Sequence, residues 1–386
     1  MGRKKRIAFV ITSALSFNVL MRGQLEYLRD QGAQIDLYTG GPADELEKLK
    51  SRNVGRVRHV PFHRQPNPLW DLVCLGWLTF LLAFRRYDTV VYSTPKAMLL
   101  GSLAAFLTAQ RRRIAMIRGR GYENFTGAKR RLYVALDKLT FLVSHKVLFI
   151  SCSTIAAYEA DGVDVGGKGL MLGYGSSNGV DLDRFRPLSK SDRLELRSAL
   201  GLSADDFAIA VVGRIRDYKG TSEVLELSRR LADIPNLRIL LVGPIDQRSF
   251  TKEIEAVDPV RVRHFPQSPD VEKYFQAADL HLFLTHREGF GNVAIEAAAT
   301  GVPTFAFNVV GLADSVIEGV TGRLFRFGDL DSVEAALRSA VADPNGLAQS
   351  YSNARSAIAE RFSQPTIWQG YADLFLEQGP AAAKRV

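Results

Sequence analysis

The residues best able to do chemistry lie in two short stretches of the second half of the chain. One is Glu288-Gly-Phe-Gly-Asn-Val-Ala-Ile-Glu296, two carboxylates with seven residues between them and glycines at 289 and 291. It follows an apolar run, Leu280–Leu284, and opens an apolar helical stretch. The glycines permit a tight turn and close backbone approach. Amides at the helix start, from Gly291 through Asn292 and Val293 to Ala294, would point at an anion, and with the helix dipole they make a seat for a diphosphate. Glu296, one turn in, could hydrogen-bond a ribose, and Glu288, before the turn, could reach sugar hydroxyls. The bland alternative is an ordinary strand-to-helix turn carrying two surface glutamates.

The other stretch is Val211-Val-Gly-Arg-Ile-Arg-Asp-Tyr-Lys-Gly220. A strand ends at Gly213, and Arg214 and Lys219 bracket a short loop before the next helix. Two fixed cations at the carboxyl end of a strand can neutralise a departing diphosphate. A third segment, Ser176-Ser-Asn-Gly-Val-Asp-Leu-Asp183, offers Asp181 and Asp183 in an Asp-x-Asp spacing. No further oxygen ligands gather near it, so these aspartates read as turn residues and no metal site is expected.

Such motifs need strands and helices to aim them. Short apolar runs alternate with helical patterns along the whole chain. In the first half, strands are expected near Ile7–Val10, Ile35–Tyr38, Val57–Val60, Thr89–Tyr92, Ile114–Ile117 and Val147–Ile150. In the second half they are expected near Ala208–Val212, Arg238–Val242, Val262–Phe265, Leu280–Leu284 and Pro303–Ala306. Continuous Val, Ile, Leu and Phe runs mark strands covered on both faces, as parallel sheets require. Repeated β-α units predict an α/β protein with two doubly wound, Rossmann-like sheets facing a deep cleft. The seam falls between Asn178 and Ser203, giving domains over 1–180 and 181–364.

Bulk properties agree with two domains: 386 residues, 46% hydrophobic and 24% charged. The net charge of +9 suits an anionic partner. Two isolated cysteines, Cys74 and Cys152, fit a reducing compartment and give no metal-ligand spacing. The basic start followed by Ile7–Leu15 imitates a secretion signal, but it reads better as a first buried strand feeding a helix with Val19, Leu20, Gln24, Leu25 and Leu28 on one face. The longest apolar run, Leu69–Phe84, is interrupted by Asp71 and falls short of a membrane span. With Arg111-Arg-Arg113, the residues Trp70, Trp77 and Phe84 could instead rest on an anionic membrane.

In order and spacing, the three motifs resemble the retaining family-4 glycosyltransferases with the GT-B fold. Ser93-Thr-Pro-Lys96, Arg118-Gly-Arg-Gly121 and Ser176–Asp181 are similar to the bacterial branch that extends polysaccharide or O-antigen chains on polyprenyl-diphosphate lipids. The resemblance implies a hexosyl- or N-acetylhexosaminyl-transferase whose donor is a nucleotide-sugar, UDP-linked by family habit, and whose acceptor is a glycan or polyprenyl-diphosphate-sugar. It implies that Arg214 and Lys219 grip the donor diphosphate and that Glu288 contacts the sugar. Phe290, Gly291, Asn292 and Val293 would supply backbone contacts, and Glu296 would bind the ribose. Gly213 and Pro266 would border the donor, with the base near His264 to Gln267. Ser16, Asn18, Arg118, Arg120 and Asn178 are the acceptor-side candidates. A last helix over 365–386 would pack back on the first domain and end in a frayed tail. No cofactor and no metal are implied, and the enzyme would work in the cytoplasm on the inner face of the membrane. Two departures stand out: Thr12–Asn18 replaces a Gly-Gly-rich loop, and Arg118 stands where some relatives carry a histidine.

Other classes fit less well. Gly162–Lys168 nearly matches a P-loop but lacks its Ser or Thr, and a dehydrogenase would need Gly-x-Gly-x-x-Gly after the first strand. No zinc-finger spacing or RNA-reading signature points to nucleic acid. His281 and His286 read as core or loop histidines. A sugar-nucleotide epimerase or hydrolase, and a non-catalytic nucleotide-sugar-binding partner, remain as alternatives on the same architecture.

Overall fold

The computed structural model describes residues 4–63, 65–123, 125–266, 268–377 and 383–385. The chain forms two compact units, Met1–Gly179 with Pro365–Val386, and Val180–Gln364.

The first unit holds β1 (Arg6–Ser13), β2 (Gln34–Gly40), β3 (Arg56–His59), β4 (Thr89–Ser93), β5 (Arg113–Ile117), β6 (Lys146–Phe149) and β7 (Gly169–Leu172). The second holds β8 (Phe207–Val212), β9 (Leu237–Val242), β10 (Val262–Phe265), β11 (Leu280–Phe283), β12 (Thr304–Phe307) and β13 (Gly322–Phe325). All thirteen pair in parallel. A last short strand, β14 (Ala383–Arg385), runs antiparallel beside β7, so part of the tail expected to fray carries backbone pairing instead. The sequence reading missed β7 and β13. Both are four residues long and begin at a glycine; β13 leaves Arg323 exposed, while β7 is buried throughout but offers only Leu170-Met-Leu172 between glycines, shorter than the runs of the central strands.

Strand order explains where ligands can sit. The first sheet runs β14-β7-β6-β5-β4-β1-β2-β3 and the second β10-β9-β8-β11-β12-β13. Connections leave in opposite directions from β1 and β4, and likewise from β8 and β11. At such a switch point the two loops after the strands diverge to opposite faces and leave a crevice outside their carboxyl ends. In the first unit those loops carry Thr12–Asn18 and Ser93–Lys96. In the second they carry Gly213–Gly220 and Thr285–Gly291. Both motifs singled out in the sequence therefore flank one switch point.

Each sheet is buried on both faces. Phe9, Val91 and Met116 are among the fully buried side chains of the first sheet, and Ile209, Leu241 and Leu282 of the second. The segment expected to be one helix after β1 is two, Ala14–Leu20 and Gln24–Asp30. Gly23 breaks it: its φ is 77°, and a Cβ there would lie 2.4 Å from the Trp368 ring. Trp368 belongs to the last helix, Gln364–Leu376, which packs on the first sheet through a Phe9–Phe375 edge contact of 5.6 Å. Thr89 and Arg112 donate to the carbonyls of Phe375 and Leu374, at 3.0 and 2.9 Å.

Candidate active site

Beyond β8, Asp217–Lys219 forms a single 3-10 turn, closed by bonds from the amides of Lys219 and Gly220 to the carbonyls of Arg216 and Asp217. Gly220 follows with φ 80°, and a Cβ there would lie 2.1 Å from the Leu284 carbonyl oxygen. Only glycine lets the helix Thr221–Arg230 start this close to the end of β11. The Tyr218 carbonyl accepts from the His286 amide at 2.9 Å and from the Thr285 hydroxyl at 3.1 Å. His286 Nε2 lies 2.7 Å from Glu223 Oε1. Two loops distant in sequence are thus stitched into one surface.

On that surface the Lys219 ammonium touches the Glu288 carboxylate directly, with side chains 19% and 16% exposed. Arg214 donates to the Tyr218 hydroxyl at 2.6 Å and to Asp246 at 3.3 Å, while Arg216 reaches the same Asp246 carboxylate at 2.8 Å. Tyr218 separates the two cations: Lys219 Nζ sits 5.7 Å from its ring centroid on the way to Glu288. The basic loop and the glutamate turn therefore meet in one place.

The turn is held from behind. The Glu288 amide donates to Val310 at 3.2 Å, and Gly311, at φ 89°, brings its backbone so close that a Cβ would lie 2.8 Å from the Glu288 carbonyl oxygen. Gly291, at φ 84°, is the N-cap of the helix Asn292–Ala299 and itself offers no side chain to cap it. Asn292 and Val293 are half-buried at its first turn. Phe290 is buried with its ring 5.3 Å from Phe362, so its side chain belongs to the packing and only its backbone faces the turn. Glu296 is half-buried, and while its carbonyl accepts from the Thr300 amide at 3.3 Å, its carboxylate has no hydrogen bond among the described residues. Burial pushes its carboxyl up to about 7; Arg184 pulls it down and Glu272 raises it. Gly213 leads out of β8, with its amide donating to Val242 at 2.9 Å. Pro266 is exposed just past β10, His264 Nε2 lies 2.9 Å from the Gly243 oxygen, and Gln267 lies outside the described residues.

The acceptor-side candidates of the first unit divide. Asn18 donates to the Glu45 carbonyl and carboxylate at 3.0 and 2.7 Å, and its own oxygen accepts from Arg52 at 3.4 Å. Arg120 is clamped between Glu123, at 2.8 and 2.7 Å, and the Asp161 carboxylate and Ala157 carbonyl, each at 2.6 Å. Asn178 donates to the Arg22 carbonyl at 3.0 Å and accepts from the Trp368 indole at 2.9 Å. In the ligand-free chain these three have their polar groups engaged within the fold. Ser16 is half-exposed on the first helix. Arg118 makes one long bond, 3.4 Å to the Leu20 carbonyl, and its Nε and second amino group are buried without partners. Burial holds its guanidinium below the ordinary value.

Asp181 behaves as a turn residue, accepting from the amides of Asp183 and Arg184 at 3.1 and 3.0 Å. His281 is a core histidine, 3.0 Å from the Thr304 hydroxyl, with burial pulling it down to about 3. Among the described residues no three His, Cys, Asp or Glu side chains gather as a metal set. The sequence reading passed over Tyr218 and Asp246. Tyr218 was legible, lying between the two cations, whereas Asp246 comes from the next β-α loop and only the fold brings it there.

Comparison with known proteins places this geometry. Residues 192–357 match the family model "Glycosyl transferases group 1", and residues 18–165 match "Glycosyltransferase Family 4". The chain is 27% identical over 382 residues to the capsular polysaccharide biosynthesis glycosyltransferase CapM of Staphylococcus aureus, covering 97% of each. It is 36% identical over 209 residues to a D-inositol 3-phosphate glycosyltransferase of Mycobacterium avium, covering 51% of this chain and 46% of that one. Among solved structures it superposes on Anabaena HepE in complex with UDP at a TM-score of 0.79 and 21% identity, covering 96% of this chain and all of the other. WaaG, a glycosyltransferase involved in lipopolysaccharide biosynthesis, superposes at 0.74 and 18% identity, over 97% of this chain and all of that one.

Proposed function

Because the chain is a glycosyltransferase of the GT-B fold, we propose that it moves a hexosyl or N-acetylhexosaminyl group from a UDP-sugar to a lipid-linked glycan during synthesis of a surface polysaccharide. The likeness to CapM over nearly the whole chain supports the pathway class. Neighbours solved with UDP and UDP-glucose support the donor. The observation that carries the reading is the contact of Lys219 with Glu288, which joins the basic loop to the glutamate turn at the switch point.

In this reading the donor diphosphate lies on the start of the helix Asn292–Ala299, beside Arg214 and Lys219, and Glu296 accepts from the ribose hydroxyls. Lys219 exchanges its bond with Glu288 for one with the diphosphate, and Glu288 turns to the sugar hydroxyls. As the bond from the anomeric carbon to the diphosphate oxygen breaks, negative charge grows on that oxygen. Fixed cations and amides aimed there stabilise the transition state more than the ground state. The acceptor hydroxyl bonds to the anomeric carbon from the face the diphosphate leaves, and configuration is retained. Its proton passes to the departing phosphate oxygen, so no separate base is needed. Arg214 and Lys219 supply the positive charge, and no metal enters the scheme. In the first unit, Ser16, Asn18, Arg118, Arg120 and Asn178 are the acceptor contacts of this reading.

The test is a panel of UDP- and GDP-sugars incubated with the protein and extracted lipid-linked oligosaccharide, with and without EDTA. One UDP-sugar should be consumed only when acceptor is present, yielding a lipid-linked glycan one sugar longer, at equal rate in EDTA. Consumption without acceptor would make the protein a hydrolase or epimerase, and loss of turnover in EDTA would require a metal.

A further inference from the structure

The helix Pro68–Ala83 has the composition of a buried helix and the exposure of a surface one. Cys74, Leu78 and Leu82 are its inward stripe. Leu69, Leu72, Val73, Phe80 and Phe84, just past its end, are 79%, 65%, 53%, 54% and 77% exposed. Trp77 stacks on Phe80 at 5.8 Å and Phe80 meets Phe84 at 5.1 Å, so an aromatic ladder runs along the outer side. The Trp70 and Trp77 indoles donate to the carbonyls of Pro61 and His59 at 2.7 and 3.3 Å, which fixes both rings on the flank of the helix. The one charge in the helix, Asp71, is neutralised by Lys96 at 2.7 Å. A helix apolar all round normally lies in a core or in lipid, and exposed apolar surface this continuous marks an interaction site.

The neighbouring helices extend the same face. The crossovers β3 to β4, β4 to β5 and β5 to β6 step the same way across the sheet, so right-handed connections put their helices on one side. Pro68–Ala83 packs on Pro95–Leu107, which packs on Gly127–Val143. Phe106 and Leu107 are exposed at the end of the middle helix, and Leu132, Leu139 and Leu142 on the third. On that third helix Lys129, Arg131 and Lys138 are exposed, and Arg131 and Lys138 have no partner among the described residues. Its one carboxylate, Asp137, is buried under the hydroxyls of Tyr122 and Tyr158 at 2.8 and 2.6 Å. Beside it a groove of about 600 Å³ is lined by Leu139, Leu142 and Val165, with two cations, Lys138 and Lys168, and one carboxylate, Asp164.

We propose that this face, the outer side of the helices Pro68–Ala83 and Gly127–Val143, docks on an anionic phospholipid bilayer. Apolar and aromatic side chains would enter the boundary between headgroups and acyl chains, and the basic residues would meet the lipid phosphates. Charge complementarity selects lipid over a second copy of the chain: a two-fold contact would set the Arg131–Lys138 surface against itself. Such docking would serve the lipid-linked acceptor, and it rests on that reading for its purpose.

The test is flotation of the full chain with vesicles of phosphatidylglycerol and phosphatidylcholine, and with phosphatidylcholine alone, at low and high salt. Tryptophan emission is followed in parallel, since two of the three tryptophans lie on this face. The wild type should float with the anionic vesicles at low salt and its emission should shift to the blue. Arg131→Glu with Lys138→Glu should cut partitioning by more than about tenfold, at roughly 1 kcal/mol per cation. Trp77→Glu with Phe80→Glu should do so in both salts. UDP titration into the same variants should match wild type, so a failure to bind UDP would count against the donor reading alone. The docking proposal is overturned if the wild type floats with neither vesicle, if the variants float as well as wild type, or if light scattering finds a dimer that Trp77→Glu with Phe80→Glu dissociates.

Discussion

Lys219 and Glu288 neutralise each other in the ligand-free chain, and removing either leaves the other charge half-buried without its partner. If the pair acts as a unit on the donor, Lys219→Ala and Glu288→Gln should each lower kcat by about a hundredfold to a thousandfold. The double variant should be scarcely slower than the worse single one. Additive losses in that cycle would show two independent roles. Glu296 makes a separate prediction. Burial holds its pKa near 7 against an ordinary 4.5. The folded chain therefore keeps that proton after the unfolded chain has released it, and the stability this confers is lost as pH rises from about 4.5 to about 7. Ribose hydroxyls need the carboxylate as acceptor, so UDP affinity should rise as pH passes through 7. Glu296→Gln should flatten both profiles, and a flat wild-type profile would remove Glu296 from the ribose.

At the scale of elements, glycines decide how closely the loops of the switch point can pack. Gly220→Ala would force a side chain into the left-handed region and against the Leu284 carbonyl. It should cost more than the roughly 1 kcal/mol of the conformation alone. Gly319→Ala, at φ 72° with nothing within 4 Å, supplies that baseline. Urea titrations of the two should differ, and equal losses would mean that the Gly220 contact relaxes freely. The same elements show what was legible beforehand. Central strands announced themselves as unbroken Val, Ile, Leu and Phe runs because both of their faces are covered. The strand β13 is broken by exposed Arg323, and β7 has only the three residues Leu170–Leu172 between glycines. The glutamate turn and the basic loop could be read because glycine, carboxylate and cation spacings are local. Asn18, Arg120 and Asn178 could not be judged in the same way. Asn18 and Asn178 bond to Glu45 and Trp368, 27 and 190 residues away, and Arg120 adds Asp161, 41 residues away, to its local partner Glu123, so tertiary structure is needed to see where their polar groups go.

For the whole molecule, two sheets with the same winding each bring a switch point to the carboxyl ends of their strands, and the second carries the cations and carboxylates that suit a nucleotide-sugar. No helix among the described residues is long and apolar enough to cross a membrane. A UDP-sugar that fits should raise the unfolding midpoint through binding linkage, by about 2.7 kcal/mol at a hundredfold excess over Kd. The most direct measurement is a calorimetric titration of UDP into the wild type, Arg214→Ala and Lys219→Ala. If one diphosphate sits between those cations and the 288–296 turn, UDP binds the wild type and each substitution weakens it by about 1.5–3 kcal/mol, the usual worth of a hydrogen bond to a charged group. UDP affinity unchanged in both variants would contradict the account.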